Sequence, residues 1–301
     1  MTKSSFKIRA TTNGLHLFNR ESGLNVLLDE FQPKVLSKAP ANVSIALTGR
    51  CNIRCAHCFV EKTDVDLDKC NLLKWLRQLD DNGCLGVGMG GGEPFLYRDL
   101  MDVCRFIHEE TAMACTITTN GSLIGKDALN WMKKYVDFCR ISLDGIRDVH
   151  FRERGIDYQY MLQKIESCAA EGIRVGVNYL INDETVRDLN AMVDDMSRVG
   201  ALELLLLPEV VTHGRYGVSK CALEKLRDWC CSNDSSVRVR LSAGFHEYVP
   251  EAVVMPGDVG LRAYAHIDSL GVIKKTSFES VGVKITDGII EAYQTLAKEA
   301  A

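Results

Sequence analysis

The sequence predicts an α/β protein, a partial (β/α)6 TIM-type barrel with a small N-terminal β cap and a C-terminal β-hairpin/helix extension. Three observations carry this reading. From residue 42 onward, short β-rich runs alternate with amphipathic helical runs, the pattern of parallel strands joined by right-handed crossovers. Six such strand runs fit an open, incomplete barrel better than a closed eight-fold one. The residues before position 42 lack the alternation and carry turn signals instead.

In chain order, the N-terminal region reads as strands over 7–10, 15–18 and 25–28, broken at Asn13-Gly14 and Ser22-Gly23. Barrel strands follow at 43–48, 85–89, 114–118, 138–143, 173–180 and 203–207. Between them, Leu72, Trp75, Leu76 and Leu79 share one helical face. Tyr158, Met161, Leu162, Ile165 and Cys168 share another, and Val186, Leu189, Val193 and Met196 a third. After Ser232 the pattern changes to strands at 262–268, 272–277 and 281–286, then a helix from Asp287, its expected N-cap, to Lys298. The expected organisation is an N-terminal extension (1–41), a barrel (42–235) and a C-terminal unit (236–301).

With 301 residues, 46% of them hydrophobic, the chain can build a large core. Lys and Arg number 36 against 40 Asp and Glu, so there is no basic footprint for a phosphate backbone and nucleic acid is not an expected partner. No apolar run reaches the ~18 residues of a membrane span. The first residues lack the apolar stretch of a signal peptide. A cytoplasmic protein without a membrane partner is expected. In that compartment twelve cysteines point to metal or redox chemistry more than to disulfides, and none follows Cys231.

Cys51, Cys55 and Cys58 sit in the loop after the first barrel strand, three thiolates within eight residues. A structural zinc centre takes four ligands, and no second Cys or His pair follows at finger spacing. A [4Fe–4S] cluster normally takes four cysteines, so three leave one iron open. A zinc- or cluster-binding structural or regulatory module is the alternative of another class. The second strand runs into Gly90-Gly91-Gly92-Glu93-Pro94, where glycines admit a ligand to the backbone and a carboxylate can accept from an amino group. Gly86-x-Gly88-x-x-Gly91 also satisfies a dinucleotide fingerprint, which needs an acidic residue about 20 positions on. That place holds Thr118-Thr119-Asn120-Gly121 instead. The fourth strand leads through Ser142 to Asp144-Gly145. All these motifs fall at carboxyl ends of predicted parallel strands, the active-site rim of an α/β barrel. Alternation turns Arg140, Ser142 and Asp144 inward and Cys139 and Cys115 toward the helices, where thiols are packing groups. Cys70, Cys104 and Cys168 fall on helices and read as structural. Cys221, Cys230 and Cys231 follow the last barrel strand without cluster spacing.

The stretch Cys51-Asn-Ile-Arg-Cys55-Ala-His-Cys58-Phe59 resembles the signature of the radical S-adenosylmethionine (radical SAM) superfamily, and within it the SPASM/Twitch-related peptide-maturase branch. The stretch His150-x-Arg152-x-Arg154-Gly155 resembles another motif of that branch, with Phe151 where Asp is usual. The resemblance implies that Cys51, Cys55 and Cys58 hold one [4Fe–4S] cluster whose open iron is chelated by S-adenosyl-L-methionine (SAM). It places SAM against Phe59, Gly91, Gly92, Glu93, Asn120, Ser142, Asp144, Arg154, Asn178 and Leu207. It implies reductive cleavage of SAM to a 5′-deoxyadenosyl radical that takes hydrogen from a substrate, with a flavodoxin or ferredoxin as reductant. It identifies no further catalytic residue.

The C-terminal hairpin and helix resemble a degenerate Twitch-like domain without auxiliary-cluster cysteines. That favours a redox-neutral change such as excision or splicing, as in nif11-type peptide maturases. The implied substrate is a ribosomally made peptide. The N-terminal extension is shorter than a leader-recognition domain, which implies a separate leader-peptide-binding partner protein. The loop at 211–217 is a candidate for substrate contact. The alternative among enzymes is a radical SAM enzyme acting on a small-molecule natural-product or cofactor intermediate.

Overall fold

A computed structural model describes residues 6–58, 60–211, 217–232, 234–235, 237–242 and 258–299. Lys7–Thr11 (β1), Gly14–Phe18 (β2) and Asn25–Leu28 (β3) form a separate antiparallel sheet. Gly14 lies at φ +123°, and a Cβ there would stand 2.1 Å from the Leu28 carbonyl oxygen, so this turn requires glycine.

The barrel begins with Asn42–Thr48 (β4), Lys69–Asp81 (α1), Gly86–Gly91 (β5), Leu100–Glu110 (α2), Ala114–Thr119 (β6) and Lys126–Tyr135 (α3). It continues through Phe138–Leu143 (β7), Arg147–Arg154 (α4), Tyr158–Ala170 (α5), Val175–Ile181 (β8), Leu189–Arg198 (α6) and Glu203–Pro208 (β9). Lys220–Ser232 (α7) then leads to Arg238–Leu241 (β10), a further parallel strand beside β9. Sequence reading stops at β9 because β10 is short and carries two arginines. Strands β4 to β10 lie side by side in chain order, all parallel, as the crossover pattern requires. The sheet is not closed into a ring by hydrogen bonds among the described residues.

On the other side of β4 lies Tyr264–Ile267 (β11), also parallel to it, followed by the antiparallel Val272–Lys274 (β12) and Val283–Lys284 (β13). These strands are shorter than the sequence runs suggest. The last helix, Ile289–Glu299 (α8), differs at its start. The Ile289 N–H donates to Gln78 Oε1 of α1 at 2.9 Å, so a side chain from another helix does the work expected of Asp287.

Alternation sorts the barrel strands into two faces. Val43, Ile45, Leu47, Met89, Ile117, Ile141, Val177, Tyr179, Leu204 and Leu206 are buried under the helices with the predicted faces of α1, α5 and α6. Each such side chain contributes about 1.5–3 kcal/mol. Cys104, Cys115, Cys139 and Cys168 are buried in this layer as expected, and Cys84 is buried too, whereas Cys70, Cys221 and Cys231 are exposed. Among the described residues no helix is long and apolar enough to cross a membrane.

Arg9 of β1 is fully buried. Its guanidinium donates to the carbonyls of Ala39 (2.8 Å), Gly83 (2.9 Å) and Arg262 (3.0 Å), and its Nε to Asp258 (3.1 Å). One side chain thus joins the N-terminal sheet, the α1–β5 turn and the C-terminal segment.

Candidate active site at the carboxyl rim

The cysteine loop leaves β4 and returns antiparallel to its end. Gly49 N donates to Val65 O (2.9 Å), Thr63 N to Gly49 O (3.3 Å) and Leu67 N to Leu47 O (2.9 Å). Thr48 Oγ1 donates to Asp66 (2.6 Å), and Arg50 pairs with Asp66 (2.5 Å) while donating to the Leu96 carbonyl (2.9 Å). Inside the loop, Cys58 N donates to Cys55 O (3.3 Å), and Ala56 N donates to the Glu153 carbonyl (3.0 Å) at the end of α4. Asn52, between the first two cysteines, accepts from Asn120 Nδ2 (2.9 Å) and donates to Ser122 Oγ (2.9 Å).

Cys51 and Cys55 are partly buried and Cys58 is exposed. Burial pushes the Cys55 thiol up to about 11; Arg154 opposes the rise, and Asp144 and the other two cysteines add to it. A thiolate here therefore needs a cationic partner, which metal ligation supplies. Three soft sulfur donors on one short loop suit an iron–sulfur centre. Among the described residues no three His, Cys, Asp or Glu side chains gather around a point as ligands of a single ion. Phe59 lies outside the described residues, as do 212–216 of the candidate substrate loop.

Asp144 and Arg154 meet beside Cys55, with Arg154 Nε 2.5 Å from Asp144 Oδ2. His57 of the loop lies 3.3 Å from Asp144 and 3.6 Å from Glu153. Arg154 thus sits in a buried ion pair next to the thiols. His150 is fully buried and its Nδ1 accepts the Asp144 backbone N–H at 3.2 Å. Burial, and next the positive charge of Arg154, bring the His150 imidazole down to about 4, so it stays neutral and holds the Asp144 turn.

The sign of the resulting pH effect follows from proton counts. Unfolded His150 titrates near 6.5, so the folded chain binds fewer protons between pH 6.5 and 4. The contribution of neutral His150 is complete above about pH 6.5 and is lost as pH falls toward 4, to the extent of about 3 kcal/mol. His150→Gln, which does not titrate, is expected to lose less stability than the parent between pH 7 and 4.5, measured by thermal melts. An equal loss in both would remove His150 from this role.

The glycine run has a steric reason. A Cβ on Gly92 would lie 2.1 Å from the Arg50 carbonyl oxygen, and one on Gly91, at φ +117°, 2.5 Å from that of Thr48. Gly92 N donates to Thr48 O (2.8 Å) and Glu93 N to Arg50 O (2.7 Å), so the end of β5 lies directly on the root of the cysteine loop. Gly92→Ala is expected to displace that root and to lower both the iron retained after reconstitution and the melting temperature, at a cost of about 1–3 kcal/mol. Unchanged iron content and melting would contradict the contact.

Glu93 is fully buried. Its Oε1 accepts from Thr119 Oγ1 (2.6 Å) and Phe95 N (3.2 Å), and its Oε2 from Asn120 N (2.8 Å). Burial raises its carboxyl above the usual range against these three hydrogen bonds. The resemblance gives Glu93 a cofactor amine to accept; the geometry gives it a brace between the ends of β5 and β6. Asn120 is likewise engaged with Asn52 and Ser122.

Ser142 and Asn178 are cross-strand partners facing the interior, and Asn178 Oδ1 is buried with no hydrogen-bond partner among the described residues. Leu207 is half-buried opposite Leu180. Gly86, Gly88 and Gly90 leave the inner face of β5 without side chains, and a Cβ on Gly90 would meet nothing within 4 Å. The rim therefore gathers Cys51, Cys55, Cys58, Gly91, Gly92, Glu93, Asn120, Asp144 and Arg154, with Ser142, Asn178 and Leu207 lining the interior. Sequence reasoning misses Asn52, Ser122, Asp66 and Glu153. Of these only Asn52, inside the cysteine motif, carries a local signal.

Residues 45–196 match the Radical SAM superfamily. Fe-coproporphyrin III synthase of Methanosarcina barkeri (strain Fusaro / DSM 804) is 31% identical over 155 residues, 49% of this chain and 39% of that protein. The antilisterial bacteriocin subtilosin biosynthesis protein AlbA of Bacillus subtilis (strain 168) is 27% identical over 170 residues, 54% of this chain and 38% of that one. The chain thus spans less than half the length of these relatives. In fold it is similar to Streptococcus suis SuiB, with a TM-score of 0.78 at 17% identity, covering 97% of this chain and 87% of that one. SuiB bound to S-adenosylmethionine gives 0.76 at 17% identity, covering 96% and 85%. With half the sequence matched and the three-cysteine loop inside the matched span, the chain belongs to the radical SAM superfamily, whose members use a [4Fe–4S] cluster and SAM.

Proposed function

We propose that this chain modifies a ribosomally made peptide, with Cys51, Cys55 and Cys58 holding the cluster. When bound, the cluster and SAM supply a carbon-centred radical that takes a hydrogen atom from the substrate. The observation that carries the reading is the meeting of the three-cysteine loop with a side-chain-free inner face of β5 at one rim. The loop root, clamped by Thr48, Arg50 and Asp66, fixes the thiols. Arg154, held by Asp144, balances negative charge beside Cys55. Asn178 Oδ1 offers an unused acceptor, and Gly91, Gly92, Asn120, Ser142 and Leu207 complete the wall against which SAM lies. The glycine face leaves room for an extended backbone.

A peptide substrate is supported by AlbA, named for bacteriocin biosynthesis, and by the similar fold of SuiB, described bound to precursor peptide SuiA. A flavodoxin or ferredoxin reductant and a separate leader-binding partner complete the proposal, and the product is a redox-neutral excision or related change. A second reading, a small-molecule cofactor intermediate as substrate, is favoured by the 31% identity to a protein named Fe-coproporphyrin III synthase. The test is anaerobic incubation of the reconstituted chain with SAM, dithionite and candidate precursor peptides. The expected result is a peptide mass change matched by 5′-deoxyadenosine. SAM cleavage with no peptide altered, but a tetrapyrrole altered, would replace the first reading by the second. A zinc-loaded chain that leaves SAM intact would overturn both.

A further inference from the structure

One polar cluster in the barrel interior is used by none of the roles above. Arg140 of β7, Gly176 of β8 and Glu203 of β9 are register partners on adjacent strands. Arg140 Nη2 lies 2.5 Å from Glu203 Oε1, and Arg240 Nε of β10 lies 2.6 Å from Glu203 Oε2. The intervening strand contributes glycine, and a Cβ there would stand 2.8 Å from the Phe138 ring and 2.9 Å from the Glu203 carbonyl oxygen. Gly176 is thus closed in by the Phe138 ring and the β9 backbone, while Arg140 reaches Glu203 across it. The Arg140 guanidinium also lies over the Phe138 ring, 4.9 Å from its centroid.

Burial raises the Glu203 carboxyl, but Arg140 and Arg240 outweigh burial and hold it below the usual carboxylate range. The carboxylate is therefore charged and shared by two guanidiniums, so the cluster carries a surplus positive charge. One of its donors is not spent. Arg140 Nη1 is buried and makes no hydrogen bond among the described residues. The Arg240 side chain is 50% exposed while its Nε is held on Glu203. Two oriented guanidiniums, that of Arg140 with an unpartnered N–H, match the planar, forked shape of a carboxylate. One surplus charge suits a singly charged carboxylate better than a phosphate dianion.

We propose that Arg140 and Arg240, braced on Glu203, form a substrate carboxylate subsite within the barrel, Arg140 and Glu203 lying one side-chain layer deeper than Ser142 and Asn178. The proposal deepens the peptide reading and rests on it for the source of the group, an acidic side chain of the peptide.

The test titrates the reconstituted, SAM-loaded full chain at low ionic strength with an acetylated Gly-Glu-Gly amide, its Gly-Gln-Gly counterpart, glutarate and inorganic phosphate, followed by isothermal titration. The Glu peptide is expected to bind about tenfold more tightly than the Gln peptide, the scale of one charge-assisted hydrogen-bond pair. Arg240→Gln should erase that preference, and Arg240→Lys should restore part of it. Equal binding of the two peptides, a preference that survives Arg240→Gln, or tighter binding of phosphate would overturn the subsite. Tighter binding of the Glu peptide than of glutarate supports a peptide source. Equal binding of glutarate keeps the subsite and assigns it to a free small carboxylate. Because the readout is binding, a carboxylate preference in a chain that alters no peptide refutes only the peptide reading.

Discussion

Cys55→Ala is expected to abolish SAM cleavage, with 5′-deoxyadenosine formation falling below about 1% of the parent and iron falling from about four per chain to a residual level. Cys55 occupies a demanding position. Its thiol is pushed up to about 11, first by burial and then by Asp144 and its two neighbours against the pull of Arg154, so it ionises only against a strong cation. The loop around it is pinned independently, by Asp66 and Thr48 at its root and by Glu153 and Asn120 along its length. Losing the thiol should therefore leave the backbone in place and remove only the ligand. The control is Cys115→Ala, a buried thiol under the helices, which should keep iron and activity while losing a little stability. Full iron and cleavage in Cys55→Ala, or equal loss in Cys115→Ala, would undo the assignment.

Arg9→Met is expected to produce the largest loss of stability away from the rim, about 3–5 kcal/mol, because it strands Asp258 as a buried carboxylate without its partner. The pair is nearly inaccessible, with side-chain exposures of 0% and 6%. Three backbone carbonyls lose a donor at the same time. The melting temperature should drop by roughly 10 °C. Gly83, one of those carbonyls, lies just before β5, at the end of the barrel opposite the cysteine loop. Folded Arg9→Met at low temperature should therefore still take up iron and cleave SAM, which separates it from Cys55→Ala. A change in melting of only a degree or two would show that the pair adds little beyond its own desolvation.

The two periodicities made most of the barrel legible. Leu72, Leu76 and Leu79 announce α1 at helical spacing, and the alternation through Cys139, Arg140, Ile141 and Ser142 gives the correct inward set for β7. The three-cysteine loop and the glycine run are local in sequence, so they too could be read. What could not be read is long-range. Nothing near Tyr264 announces that β11 pairs with β4, nor does Gln78 announce that it caps α8. Glu93 shows a different limit. Its residue type permits both a ligand contact and a structural brace, and only the positions of Thr119 and Asn120 decide which hydrogen bonds it makes.

The pairing of β11 with β4 has a consequence for how the chain is made. Ser44 meets Tyr264 and His266 across 220 and 222 residues of sequence. The strand that feeds the cysteine loop has one neighbour, β5, soon after it emerges from the ribosome, and waits for the other until some 220 further residues are synthesised. At typical translation rates that wait is roughly 10–40 s. Throughout it, one side of β4 is a bare edge able to recruit a wrong partner. Separate expression of a barrel truncated before β11 should therefore yield aggregates.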